Sequence, residues 1–333
     1  MQHGINKNIP RISAALSFKD YWGAIKVRLG VQRHNYKVTP GLYAVGSPNE
    51  DSNVLVTANY KLSFDSLRKH LNNISCWLLV LDTKGINVWC AAGKGTFGTE
   101  ELINKIQESN LKEIIRHKKI ILPQLGAVGV NAYEIKKQTG FSVIYGPVRA
   151  KDIPEFLNNG LETTKEMKRV HFTFIDRLVL TPNEFLMSFK YILLAGIIFL
   201  VVSNLGIDAQ KTEIGIYARL LWVIGLFIAY FCGTILGPVL LPFLPGRSFS
   251  LKGFWLGIAA AGLFVFISKT SYLESISLAL MMSAITSFLL MNFTGSSTYT
   301  SISGVLKEMK IAMPLQIIGC TIGIIIFIIT RFI

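Results

Sequence analysis

The 333-residue chain is 51% hydrophobic and only 16% charged, with a formal net charge of +14; about a quarter of the residues of an ordinary soluble protein are charged. Residues 1–187 hold 25 of the 34 Lys and Arg and 16 of the 20 Asp and Glu, so the two halves carry net charges of +9 and +5. These figures exclude disorder, a collagen-like chain and a disulfide scaffold. They predict a soluble domain over 1–187 and a transmembrane domain over 188–333.

The first 38 residues form a basic arm, with Lys7, Arg11, Lys19, Lys26, Arg28, Arg33 and Lys37 against Asp20. It contains no apolar stretch of signal-peptide type, which predicts a cytoplasmic amino-terminal domain. The arm reads as a solvated face or a contact with anionic lipid; it carries no basic-aromatic motif of the kind that reads nucleic acid.

Short β-rich runs then alternate with helical stretches. The strands are expected at Val54–Thr57, Trp77–Asp82, Ile120–Pro123, Ser142–Tyr145 and Val170–Phe174, and the helices at Ser63–Leu71, Glu100–Ile115, Asn131–Thr139 and Lys151–Asn158. This rhythm predicts an α/β, Rossmann-like domain with a parallel, doubly wound sheet. Ligands of such sheets lie outside the carboxyl ends of the strands. The loops to watch are therefore 57–60, with Thr57 and Asn59, then 82–85, 123–126 with Gln124, and 145–149 with Gly146.

Gly93, Gly95 and Gly98 spell GxGxxG ahead of the helix expected from Glu100. A dinucleotide fingerprint needs its first glycine directly after a strand and an acid ending the next one. Here Gly93 lies eleven residues past Asp82, and the next strand runs into Pro123 and Gln124. A phosphate loop fails as well, since Gly95 follows Lys94 where Ser or Thr belongs and Val88 occupies the place of the first glycine.

The string Asn87, Val88, Trp89, Cys90, Ala91, Ala92, Gly93, Lys94 is more informative. With Asn87 as N-cap, Cys90 falls at the third helical position, where the helix dipole and Lys94 one turn on both favour thiolate. Trp89 and the small Ala91 and Ala92 leave an apolar wall and room for a bulky planar ligand. The competing reading of Cys90 is a buried structural cysteine. Four cysteines, Cys76, Cys90, Cys232 and Cys320, with no CxxC, give no basis for an iron–sulfur cluster in this chain.

Apolar runs in the second half place five spans near 191–207, 214–240, 254–268, 275–293 and 311–330, the second broken at Gly237 and Pro238 and the third short. Positive loop residues Arg247, Lys252, Lys307 and Lys310 favour a cytoplasmic amino terminus and an outer carboxyl terminus. Arg219 and Glu274 are the ionisable residues in or beside a span, which favours an anchor over a transporter. Gly257 and Ala261 form a small-xxx-small pair suited to helix contact. Cys232 and Cys320 read as small buried hydrophobes, with soft-metal handling as the alternative.

NVWCAAGK, from Asn87, resembles the cap-helix signature of the HgcA family, corrinoid proteins of microbial mercury methylation whose cobalamin-binding domain is similar to the corrinoid iron–sulfur protein large subunit. The resemblance extends through VTANYKLSFDSLRKHL from Val56, LPQLGAVGV from Leu122, YGPVRAKDI from Tyr145 and TPNEFLMSFKY from Thr181, and the layout of a corrinoid domain before about five spans is shared. It implies a cobalamin cofactor with Cys90 as lower axial ligand to cobalt, Val88 and Trp89 packed beside it, and Thr57 at the corrin site. The histidine motif DxHxxG of base-off methyltransferases is absent.

The resemblance further implies a multi-pass protein of the cell membrane that transfers methyl from cobalt to Hg(II), as a carbanion equivalent or a radical. A two-cluster ferredoxin like HgcB would return the electrons, and methyl would come from the methyltetrahydrofolate branch of one-carbon metabolism. Two alternatives stand beside it: a membrane-bound corrinoid methyl carrier serving another acceptor, and a non-catalytic membrane sensor binding a nucleotide at Gly93–Gly98.

Overall fold

A computed structural model of the chain describes residues 9–203, 212–297 and 302–330. The chain forms two compact units: one runs up to Val27 and over Val31–Val170, the other comprises Arg28–Gly30 and His171–Ile333. The boundary expected at 187/188 from charge density falls inside a helix, because Glu184 and Lys190 sit in its early turns without ending it.

In the first unit, β1 (Arg11–Ile12), α1 (Phe18–Arg28) and β2 (Gly41–Val45) precede β3 (Val54–Ala58), α2 (Lys61–Arg68) and β4 (Cys76–Leu81). Then come α3 (Val88–Lys94), α4 (Thr99–Glu108), α5 (Leu111–Ile114), β5 (Lys119–Leu122), a 3-10 turn at Gln124–Gly129, α6 (Ala132–Thr139), β6 (Ser142–Tyr145) and α7 (Ile153–Asn158). The six strands lie in the order β1-β2-β4-β3-β5-β6. The four expected strands β3 to β6 are parallel neighbours, as doubly wound connectivity requires. The sheet is nonetheless mixed: β2 pairs antiparallel to β4 and β1 parallel to β2.

Period-two alternation divides the core. Val54, Val56, Trp77, Leu79, Leu81, Ile120 and Leu122 pack on one face with α3 to α6, while Leu55, Leu78, Val80 and Ile121 meet α2 and α7 on the other. The parallel strands read as continuous apolar runs because both faces are covered.

Three local expectations are corrected. Val170–Phe174 forms no strand: Thr173 and Asp176 make a capping box that starts α8 (Phe174–Leu178). The stretch Glu100–Ile115 is two helices, because Asn110 adopts a left-handed φ of 47° between them. Thr57 lies within β3, not in the loop after it.

The second unit continues with α9 (Thr181–Val202), α10 (Thr212–Phe231), a π-helical turn at Cys232–Leu236, α11 (Gly237–Leu240), α12 (Phe249–Ser268), α13 (Tyr272–Asn292) and α14 (Ile302–Ile329). Among the described residues, five stretches are long and apolar enough to cross a membrane: Phe174–Val202, Leu220–Leu240, Phe249–Ser268, Tyr272–Ser296 and Ser303–Ile329. The first begins well before residue 191, and its expected end at 207 lies outside the described residues, as does the Arg219 side chain. The third is of full length because Ser248, bonding the Leu251 amide, caps it six residues before the expected start. At Gly237–Pro238 the helical path is not broken but continues to Leu240; the missing proline N–H is accommodated by the π-helical turn before it. Gly257 and Ala261 do face a neighbour, since a Cβ on Gly257 would fall 2.5 Å from the Cα of Ser283 on α13, and Ala261 is fully buried.

Candidate functional site

Strand β3 connects leftward to β4, and β4 returns over it to β5, so the sheet's order reverses between β3 and β5. The crevice at the carboxyl ends of those two strands is where open α/β sheets bind ligands. Helix α3 packs against both β3 and the turn Gln124–Gly129 that follows β5. It therefore sits over this switch point.

The helix starts at Asn87 because that side chain accepts the Cys90 amide at 2.9 Å. It stops at Gly95, whose φ of 80° suits glycine. Between these ends the 3.6-residue period separates two faces. Val88, Ala91 and Ala92, which the sequence suggested as ligand contacts, point inward and join the core. Trp89 and Cys90 are half-buried, and Gly93 and Lys94 are exposed. A Cβ built on Gly93 or Gly95 meets nothing within 4 Å, so the outward face is open.

Glycines let α3 sit this low. A Cβ on Gly129 would lie 2.2 Å from the Phe97 carbonyl oxygen and 3.0 Å from the Ala92 Cα, and one on Gly126 would strike the Phe97 ring at 2.5 Å. A Cβ on Gly98 would lie 2.6 Å from the Gly95 carbonyl oxygen. The GxGxxG string is thus consumed by a helix stop and close packing.

The loop that delivers α3 is fastened by Asn59. This residue is 1% exposed; its Oδ1 accepts the amides of Thr83 at 3.2 Å and Gly85 at 3.0 Å, and its Nδ2 donates to Asp82 at 3.0 Å. Asp82 takes the Lys84 ammonium at 2.5 Å, and this partner holds its carboxyl below the ordinary range. Glu101 on α4 accepts the Asp82 amide at 2.7 Å, and the Thr83 hydroxyl donates to the Ile86 carbonyl at 2.7 Å. Sequence reasoning placed Asn59 as a ligand contact; in the fold its amide head is occupied by the loop. Glu101 was missed, having no signal beyond its place in the first turn of a helix.

Of the other candidates, Gln124 opens the turn under α3 and is half-buried. Gly146 is buried, its amide donating to the Leu122 carbonyl at 2.8 Å, and an added Cβ would lie 3.2 Å from the Ile121 side chain, so it supplies close packing. Thr57 is 3% exposed, on the same face of β3 as Leu55. The edge accordingly gathers Asn87, Trp89, Cys90, Gly93, Lys94 and Gln124, with Asn59 beneath. Thr57, Gly146, Val88, Ala91 and Ala92 are core.

The cysteines differ sharply. Cys76 is fully buried in β4, and desolvation pushes its thiol up to about 12. Among the described residues no group of three His, Cys, Asp or Glu converges as a metal site. A cavity of about 710 Å³ lies within the helical unit, bordered by Cys320. Its lining is dominated by residues such as Phe199, Ile285, Phe288 and Ile317 and includes none of the edge residues; the chemistry-bearing side chains are at α3, and we place the site there.

Residues 31–157 match the family model described as CO dehydrogenase/acetyl-CoA synthase delta subunit. The matched segment runs from before β2 to α7 and includes the whole carboxyl edge, but none of the spans. The chain is also similar to the acetyl-CoA decarbonylase/synthase complex subunit gamma of Methanopyrus kandleri, 34% identical over 127 residues, or 38% of this chain and 27% of that protein. The corresponding subunit of Methanocaldococcus jannaschii is 34% identical over 139 residues, 41% of this chain and 28% of the other. Subunit gamma 2 of Methanosarcina thermophila is 33% identical over 117 residues, 34% and 25% of the two chains. The chain thus spans about a quarter of the length of the relatives it matches.

Proposed function

We propose that this chain is a membrane-anchored corrinoid protein that moves a methyl group, with Hg(II) as acceptor. The observation that carries the reading is the placement of Cys90, on the open face of a capped helix over the switch point of a sheet related to acetyl-CoA-synthesising complexes. The fit is physical: Gly93 and Gly95 leave open space beside a half-buried thiol, and Trp89 supplies a flat apolar neighbour.

In this reading Cys90 would hold the cobalt of the corrinoid, with Trp89, Gly93, Lys94 and Gln124 as the neighbouring residues of its site. When bound, the corrinoid supplies a cobalt that can accept a methyl group and give it up to a soft electrophile. The chain's own contribution is positional. Asn87 fixes the Cys90 amide, and Asn59 and Asp82 fix the loop before it. Electrons come from a two-cluster ferredoxin of HgcB type, and methyl from the methyltetrahydrofolate branch. The spans hold the domain on the cytoplasmic side of the cell membrane.

A second reading follows from the relatives' names: a membrane-bound corrinoid methyl carrier whose acceptor lies in acetyl-CoA chemistry. One preparation separates the two. Full-length chain reconstituted with cobalamin is expected to show a corrin absorption spectrum that changes in Cys90→Ala, and when methylated to transfer methyl to a Hg(II) thiolate faster than free methylcobalamin does. A spectrum unchanged in Cys90→Ala would remove the assigned ligand. A normal spectrum with transfer no faster than free methylcobalamin would leave the carrier reading.

A further inference from the structure

Helix α1 is apolar on two opposite sides. On one side Val27 is 2% exposed, and Gly23 lies against the Tyr36 ring, where an added Cβ would come within 2.5 Å of the hydroxyl. On the other side Phe18, Tyr21, Trp22 and Ile25, spaced i, i+3, i+4 and i+7, are 84, 58, 50 and 48% exposed. Such a row of exposed aromatic and aliphatic side chains calls for a partner. Exposed Lys19, Lys26 and Arg28 lie on the same helix, and the Lys26 ammonium stands 5.6 Å over the Trp22 ring. The helix's one acid, Asp20, is withdrawn from that face. It bonds Lys61 at 2.5 Å and Arg68 at 2.8 Å, and these two also hold Asp65 at 2.6 and 2.8 Å.

We propose that α1 lies in the plane of an anionic lipid surface, with the Phe18–Ile25 row in the headgroup–acyl boundary and the lysines and arginine among the headgroups. Charge selects the occupant: aromatic residues flanked by cations, with the carboxylate locked away, fit an anionic interface. Five stretches apolar enough to span a membrane keep this domain tethered beside one. The geometry gives the contact a direction. Asp20 is anchored to Lys61, the first residue of α2, and the Lys61 amide donates to the Tyr36 carbonyl at 3.0 Å. Lys61 follows the carboxyl end of β3 by three residues, so α1 stands at the same edge of the sheet as Cys90. A domain resting on α1 presents its carboxyl edge close to the membrane. This inference does not depend on the identity of the cofactor.

The test uses the full chain in nanodiscs containing brominated phosphatidylcholine, with and without phosphatidylglycerol. Tryptophan quenching is compared between the parent and Trp22→Phe, an exposed position where the change leaves the fold intact, so that the difference isolates Trp22. The expected result is a quenched Trp22 contribution with phosphatidylglycerol that is reduced several-fold in its absence or in high salt. A Trp22 contribution unquenched in both nanodiscs overturns the proposal. So does one equally quenched in both, which removes the charge selection, or one whose environment changes only when a soluble protein partner is added.

Discussion

In the sheet domain the side chains with no exposure include Val54, Leu78, Leu81 and Ile120, whereas in α13 they include Ser277 and Thr286. Ser277 donates to the Gly323 carbonyl at 2.6 Å, Thr286 to Ala229 at 3.1 Å and Ser287 to Ser250 at 2.8 Å. Meanwhile Ile197, Phe266 and Ile317 point outward, 51, 80 and 61% exposed. Water drives apolar side chains inward in one unit. In the other, whose helices are long and apolar enough to cross a membrane, close backbone approach and hydroxyl-to-carbonyl bonds join the helices.

The sharpest way to break this contrast is through the charges that the sheet domain does bury. Arg68 and Asp65 are 8 and 5% exposed and share the network with Lys61 and Asp20. Arg68→Ala leaves Asp20 and Asp65 with Lys61 as their one remaining cation in the network and is expected to cost about 3–5 kcal/mol, read from denaturant unfolding of the full chain by tryptophan fluorescence. The same network carries a pH dependence. Burial opposes ionisation of Asp20, but hydrogen bonds from Lys61, Ser17 and Arg68 outweigh it and hold the carboxyl well below the usual range. A depressed native pKa contributes stability that is present above the unfolded value and is lost as pH falls toward the native one. Asp20→Asn should flatten the acid limb of the stability curve; an unchanged limb would show that the network does not control it.

A smaller effect tests the helical unit. Gly257→Val drives a side chain into the Ser283 backbone and is expected to cost about 1–3 kcal/mol by overpacking. At Gly262, on the same helix, an added Cβ meets nothing within 4 Å, and Gly262→Val should leave the thermal transition in detergent unchanged. Equal losses at both sites would refute packing as the cause. Smallest is Asn87→Ala, worth about 1 kcal/mol of capping. Its clearer readout is alkylation: the half-buried Cys90 should react ahead of sealed Cys76 in the native chain, and its rate should change once the cap that fixes its amide is removed.

Much of this was legible in the residues. Runs such as Leu78–Leu81 and Ile120–Leu122 announce buried parallel strands, and Asn87 announces the start of α3, both being local signals. Strand β2 was not legible, because Gly41–Val45 has one β-branched residue and becomes a strand by antiparallel pairing with β4, some 35 positions away. Ala91 and Ala92 were given to the ligand because small residues suggest room. Only the packing against the 124–129 turn shows that the room is filled by Gly129. Asn59 bonds residues 23 to 26 positions further on, a contact no local pattern encodes.

That asparagine gives the edge a property of its own. Aspartate has nearly the same shape, but it would set a second carboxylate beside Asp82 and lose the donor that now holds it. A neutral amide can accept from two loop amides and donate to an acid at once, and it carries no charge to titrate. The seat of Cys90 is therefore pinned in part by a group that neither gains nor loses a proton, set between loop amides and an acid, Asp82, that does.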